Sequence, residues 1–157
     1  MRWLWDTYAG RIRGFLRARG TPEVDEVVND VFVTVFTGLD RFDWDSEAAF
    51  RAWLFRVAIN KRVDVLRAEG RRPTPTGTVP DTAGPGDVEA DVVAAIADVQ
   101  LRSMLETLTP DQRDVIVLRF VADQSLETVA EALGKPVGAV KALQHRALAQ
   151  LRKKFSG

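Results

Sequence analysis

The sequence predicts an all-α protein of two small helical domains joined by a flexible linker. Three observations carry that reading. Helix-forming residues dominate and no run of alternating β-branched residues occurs, so there is no strand signal. Apolar residues recur at helical spacing in one segment after another, each bounded by capping residues, Gly or Pro. Between two such sets lies Pro73 to Asp91, with four prolines, three glycines, four threonines and only negative charges, which leaves nothing to pack. The expected divisions are a helical domain over 1–72, an acidic linker over 73–91 and a second helical domain over 92–157. A hydrophobic content of 46% is ample for a core.

Leu4 to Arg19 is expected as the first helix, with Leu4, Tyr8, Ile12, Phe15 and Leu16 on one side. Gly20-Thr21-Pro22 breaks it, because the residue before proline avoids the helical region. Thr21 should cap a second helix, with Pro22 at its first position and Glu23, Asp25 and Glu26 in the first turn, where the dipole favours carboxylates. That helix should run to about Thr37 and bury Val24, Val27, Val28, Val31, Phe32, Val35 and Phe36. Asp25, Glu26, Asn29 and Asp30 remain on its outer face, either for solubility or as a docking surface for a basic partner.

Gly38 to Ala48 is expected as a loop, and Glu47 or Ala48 to Arg67 as a long helix. The long helix mixes Phe50, Trp53 and Phe55 with Arg51, Arg56, Lys61 and Arg62. Cations for phosphates beside rings for unpaired bases suit single-stranded DNA, at about 1–3 kcal/mol per stacked base. The same rings also suit a core, Phe50 most of all.

Beyond the linker, Val92 to Leu108 is apolar at Val92, Val93, Ile96, Val99, Leu105 and Leu108. Thr109 should cap a following helix with Pro110 at its first position. Leu126, Val129, Ala130 and Leu133 then form an apolar face behind the cap Ser125, and Gly134 suits a left-handed end. Pro136 opens a last helix that buries Val140, Leu143, Ala147 and Leu151 and presents Lys141, Gln144, His145 and Arg146. Two such helices fit a helix-turn-helix, whose second helix enters the major groove, and also fit an ordinary helical hairpin with a basic face.

Formal net charge is zero, yet the charge is segregated. Arg51 to Arg72 holds seven bases against Asp64 and Glu69, and Gly134 to the C-terminus holds six bases and no acid. Acids concentrate at Glu23–Glu47 and Asp81–Asp98, which suggests nucleic acid on some faces and protein on others. Absent cysteine excludes disulfides, thiolate zinc and cysteine nucleophiles and fits a reducing cytoplasm. The single His145 lies on the last helix, the carboxylates lack metal spacing, and no glycine loop could cradle phosphate. No catalytic residue, metal or cofactor is therefore expected. No signal peptide and no membrane insertion are expected either, since no apolar run approaches the roughly 20 residues that span a bilayer.

The chain resembles a bacterial extracytoplasmic-function (group 4) sigma factor of the sigma-70 family, the minimal kind with regions 2 and 4. DEVVNDVFVTVF looks like region 2.2, LDRFD with AFRAWLFRVAINKRVDVLR like regions 2.3 and 2.4, LETLTPDQRDVIVLRFV like region 4.1, and SLETVAEALGKPVGAVKALQHRALAQLRK like region 4.2. The resemblance implies a three- or four-helix bundle for region 2, a helix-turn-helix for region 4, and partners in core RNA polymerase, promoter DNA and an anti-sigma factor. Asp25, Glu26, Asn29 and Asp30 would face the β′ clamp helices, with Asn29-Asp30 standing where Gln-Glu is commoner. Region 4.1 would meet the β flap. Phe50, Arg51, Trp53, Asn60, Lys61, Arg62 and Arg67 would serve the minus-10 element, where a base is flipped from the non-template strand into the loop before Phe50. Ser125, Lys135, Lys141, Gln144, His145 and Arg146 would serve the minus-35 element, with Arg and Lys suited to guanine and Gln to adenine.

Here the last helix departs from the family pattern: it reads AVKALQHRA, with Leu143 where a base is usual and Gln144 where an apolar residue is usual. That turns the core toward Leu143. The acidic linker resembles segments that thread the RNA exit path and fits equally a passive tether. The rival reading is an autonomous helix-turn-helix regulator with an N-terminal sensor, which would need a ligand cavity in the first half.

Overall fold

The computed structural model describes residues 2–41, 46–71 and 99–155, and among them there is no strand. The helices are α1 (Arg2–Ala18), α2 (Val24–Gly38), α3 (Glu47–Arg71), α4 (99–105), α5 (Pro110–Ile116), α6 (Leu126–Leu133) and α7 (Val137–Phe155). A 3₁₀ turn, Leu39–Arg41, follows α2, and a π-helical turn, Val117–Val121, follows α5. The all-α expectation holds. The linker and the apolar Val92, Val93 and Ile96 lie outside the described residues, as does most of the loop before α3.

Each helix is set by its sequence signals, with three corrections. Gly20 takes φ +66° and closes α1: the N–H of Thr21 donates to the Leu16 carbonyl at 3.0 Å and that of Gly20 to Arg17 at 3.0 Å. Thr21 therefore does not cap α2. Its amide is spent on ending α1, its side chain turns inward at 6% exposure, and Glu23 takes the cap position at φ 52° with no side-chain bond. Second, α3 continues to Arg71 rather than ending at Arg67. Third, Val99 is 59% exposed and belongs to no core.

The C-terminal half follows expectation closely. Thr109 and Gln112 form a reciprocal capping box at 3.3 and 3.1 Å. Ser125 accepts from the Thr128 amide at 3.1 Å, and Gly134 ends α6 at φ 66°. Pro136 sits one residue before α7, where its carbonyl accepts from the Val140 amide at 3.1 Å. Val140 and Ala147 are fully buried, and Leu143 and Leu151 pack partly against them.

The two halves share one continuous core. In the first, α1, α2 and α3 enclose Ile12, Phe15, Leu16, Val28, Val31, Leu54 and Phe55, each fully buried. Phe15 meets Phe55 edge to face at 6.5 Å, and Tyr8 meets Phe50 at 5.8 Å. The second half adds Val115, Val117, Leu118, Val129 and Val140. Helix α3 lies against α2 and also against α6, while α1 lies against the π turn. Gly14 makes that last approach possible: a Cβ there would stand 3.3 Å from a methyl of Val121.

Candidate nucleic-acid and partner interfaces

The acidic face of α2 is fully presented. Asp25, Glu26, Asn29 and Asp30 are exposed while the valines between them are buried, because two faces of one helix divide at this spacing. Asp25 is paired with Arg13 at 3.0 Å. Val33, 63% exposed, extends the same face by one turn, three residues beyond Asp30. Sequence reasoning passed over Val33. The signal was there, since it falls between the core stripe positions Val31 and Val35.

Helix α3 scatters its expected minus-10 residues. Phe50 is 2% exposed in the core, and Trp53 is half-buried with its ring against Phe50 at 6.1 Å and against Gly38. Phe50 is thus a core residue and not a stacking platform; the helical stripe that buries Leu54 buries it too. Arg51 pairs with Glu47 one turn back at 3.2 Å. Asn60 and Arg67 are exposed, and Lys61 is half-exposed. Glu47, which the sequence did not single out, accepts the Tyr8 hydroxyl at 3.0 Å and so ties the start of α3 to α1. Burial, then the bond to Glu47 and its charge, push the Tyr8 phenol above its ordinary value.

Arg62 is turned to the boundary between the halves. Its Nε is buried with no hydrogen-bond partner among the described residues. Burial lowers its pKa, and the charge of Arg19 adds to that, against a smaller opposing effect of Asp114; Arg113 lowers it further. Arg19 itself donates from Nε to Asp114 across 2.7 Å, with side chains only 6% and 19% exposed. Arg113 turns to the carbonyls of Leu108 and Glu106 at 3.0 and 3.3 Å. Arg56, further back on α3, donates to the Glu131 carbonyl of α6.

On α7, Lys141, His145 and Arg146 are exposed on one side, and Arg152, Lys153 and Lys154 extend the positive charge to its end. Gln144 is half-buried, its side-chain oxygen held by Arg119 Nε at 3.1 Å, and Arg119 also reaches the Gln124 carbonyl at 2.8 Å. The Ser125 hydroxyl is engaged with Thr128, and Lys135 pairs with Asp111 at 3.5 Å. Leu143 packs toward the core, as its place in the sequence suggested. Among the described residues no group of His, Cys, Asp and Glu could hold a metal ion, and no helix is long and apolar enough to cross a membrane.

Two family models match: Sigma-70 region 2 over residues 4–72 and Sigma-70 region 4 over residues 104–153. The ECF RNA polymerase sigma factor SigD of Mycobacterium tuberculosis is 37% identical over 151 residues, covering 88% of this chain and 68% of SigD. The RNA polymerase sigma factor CnrH of Cupriavidus metallidurans is 37% identical over 149 residues, covering 86% and 75%. A solved structure of CnrH with the cytosolic domain of CnrY superposes with a TM-score of 0.75 at 31% identity, covering 98% of this chain and 86% of CnrH. The sigma factor RpoE solved with the anti-sigma factor NepR from Bartonella quintana shares the fold, with a TM-score of 0.69 at 21% identity over 97% of this chain and 94% of RpoE.

Proposed function

The chain belongs to the sigma-70 family as an extracytoplasmic-function sigma factor with regions 2 and 4, and from that premise we propose which of its surfaces carry out initiation. It is an alternative sigma factor of RNA polymerase, acting in transcription initiation. It supplies no reaction chemistry of its own. It works where the polymerase works, in the cytoplasm.

The observation that carries the assignment of surfaces is the segregation of charge onto separate helices. The acid-faced α2 docks on the basic clamp helices of the polymerase β′ subunit through Glu26, Asn29 and Asp30, with Val33 as an apolar contact beside them. The α6–Gly134–α7 unit reads the minus-35 element, with Lys141, His145 and Arg146 toward the base edges and the terminal bases on phosphate. On α3, Asn60, Lys61, Arg62 and Arg67 serve the minus-10 element, with Trp53 as the ring nearest the surface. The domain divisions at 72 and 92 separate these two tasks. An anti-sigma factor is a further partner, by likeness to the sigma factors solved as complexes.

Run-off transcription tests this. Bacterial core polymerase with this protein, on pooled promoter fragments, should give new discrete start sites that vanish for Asp30→Arg. A footprint on DNA without polymerase, and no new transcripts, would establish the autonomous regulator instead.

A further inference from the structure

Where the end of α1 meets α4 and α5 there is an open cleft of about 120 Å³. Arg19, Gly20, Arg102, Leu105, Glu106 and Arg113 line it, so three guanidiniums stand against one lining carboxylate. Arg19 is firmly held: its side chain is 6% exposed, and its Nε donates to Asp114 at 2.7 Å. Arg113 is held as well, through the carbonyls of Leu108 and Glu106 at 3.0 and 3.3 Å. Two of the cations are therefore in place before any ligand arrives, and they give up little freedom in gripping one.

The charge around the cleft is not balanced. Arg62 of α3 feels the charges of Arg19, Asp114 and Arg113. Arg19, Arg62, Arg102 and Arg113 against Glu106 and Asp114 leave 4 − 2 = +2 over these residues. Such an excess costs more where burial keeps water from screening it. Two local signs of it fall on Arg62. Burial first, and then the charge of Arg19, hold its guanidinium below the ordinary pKa. Its Nε is also buried without a partner among the described residues. The carbonyls that end α1 could have offset the excess, since a helix C-terminus is its negative end. Those of Phe15, Leu16 and Arg17 are already spent on the amides of Arg19, Thr21 and Gly20.

We propose that the cleft is a binding site for a dianionic phosphate group, either inorganic phosphate or the phosphate end of a monoester. A guanidinium offers paired N–H donors at the spacing of phosphate oxygens, and Arg19, Arg102 and Arg113 bring three of them to one place. A phosphate monoester carries about −1.5 to −2 at neutral pH, which matches the excess of +2. A phosphodiester has a single charge and is substituted on two sides, so it fits the cleft less well in both respects. The volume takes a phosphate group and no base or sugar beside it, and the open side leaves the rest of an ester in solvent. No lining residue belongs to the surfaces proposed for polymerase or DNA. The bound phosphate would join the end of α1 to α4 and α5, and so the first half of the chain to the second.

Calorimetric titration of the full chain at fixed ionic strength tests this, with inorganic phosphate, glycerol 3-phosphate and dimethyl phosphate as probes. The first two should bind at one site per chain, and the diester at least about tenfold more weakly. At ten times its Kd, inorganic phosphate should raise the melting temperature by about 3–6 °C. Arg102→Gln and Arg113→Gln should each weaken binding at least about tenfold. Arg102 is exposed, so its replacement decides the matter even if Arg113→Gln, which loses two bonds to carbonyls, fails to fold. Tighter binding of inorganic phosphate than of glycerol 3-phosphate assigns the site to the free ion, and the reverse order assigns it to a monoester. Equal binding by the parent and Arg102→Gln means an adventitious ion only and overturns the proposal. So does binding that survives Arg102→Gln but falls with Arg146→Ala, which would place the ion on α7. Neither polymerase nor promoter DNA enters the measurement, so it stands or falls apart from the sigma-factor reading.

Discussion

Arg119 and Gln144 are bonded across 3.1 Å, so the side-chain amide of α7 best suited to adenine is already held from within. On the proposed minus-35 role, base contact then falls to the neighbours that remain exposed, Lys141, His145 and Arg146. Lys141→Ala or Arg146→Ala should cost about 1–3 kcal/mol of discrimination at one minus-35 position, and Gln144→Ala less than about 1 kcal/mol. Competition of holoenzyme among promoters carrying single minus-35 changes measures this. Equal losses for Gln144→Ala and Arg146→Ala would mean that Arg119 lets go of Gln144 on DNA.

Two carboxylates of α2 should differ in a core-binding assay. Asp25 is already balanced by Arg13 at 3.0 Å, while Asp30 stands exposed beside Val33. Asp30→Arg should therefore weaken core polymerase binding by several kcal/mol, the scale of a like-charge contact, and Asp25→Arg distinctly less. Val33→Ser should weaken binding too, and leave thermal stability almost unchanged because the side chain is largely solvated.

Arg62 sets stability against function. Among the described residues its Nε is buried without a partner, a situation that costs about 1 kcal/mol or more. Arg62→Met keeps the length and removes the unpaired donor, so the free protein should melt at a higher temperature. Promoter opening by the holoenzyme should fall at the same time. A lower melting temperature for Arg62→Met would show that the guanidinium is stabilised at the boundary between the halves after all.

The Tyr8 phenol is raised above its ordinary value of 10.0, by burial first and then by Glu47. The folded state thus holds this proton more tightly than the unfolded chain. Its contribution is fully present below about pH 10 and is lost as pH rises through the folded value. Denaturant titrations should show stability falling above about pH 10, with a shallower fall for Tyr8→Phe. Tyr8→Phe itself should cost about 1 kcal/mol at neutral pH through the lost hydrogen bond.

Two caps can be weighed against each other. Thr109 and Ser125 each accept one first-turn amide, and Thr109 has Gln112 reciprocating. Thr109→Ala and Ser125→Ala should each cost about 1 kcal/mol in chemical denaturation, Thr109→Ala the more.

Much of this fold is legible because local signals agree with one another. Ser125, Gly134, and the apolar stripe from Leu126 to Leu133 specify the helix-turn-helix before any tertiary contact is considered, and Thr109-Pro110 does the same for α5. Thr21 misled because its amide and side chain had two possible uses, and the competition was decided by how α1 ends. Phe50 had two readings, and the core one, favoured from the sequence, is what its burial shows. A ring next to a base can serve DNA or the core, and only the phase of the whole α3 stripe separates the two; that phase buries Phe50 and leaves Trp53 at the rim. The contact between the halves was not legible at all. Asp114 and Arg19 are 95 residues apart in sequence, and nothing in the spacing of charges pairs them.

The placement of cations on the molecule also bears on where the protein spends its time. A chromosome offers on the order of a million or more nonspecific sites, each attractive to any exposed run of positive charge. In a chain with a net charge of zero, Arg19 is turned inward and Arg62 is half-buried while α7 keeps its run of bases exposed, so bulk DNA should draw on the second half more than the first. The free protein should therefore divide its time between bulk DNA and solution, so the fraction that finds polymerase should depend on salt as well as on the abundance of the enzyme.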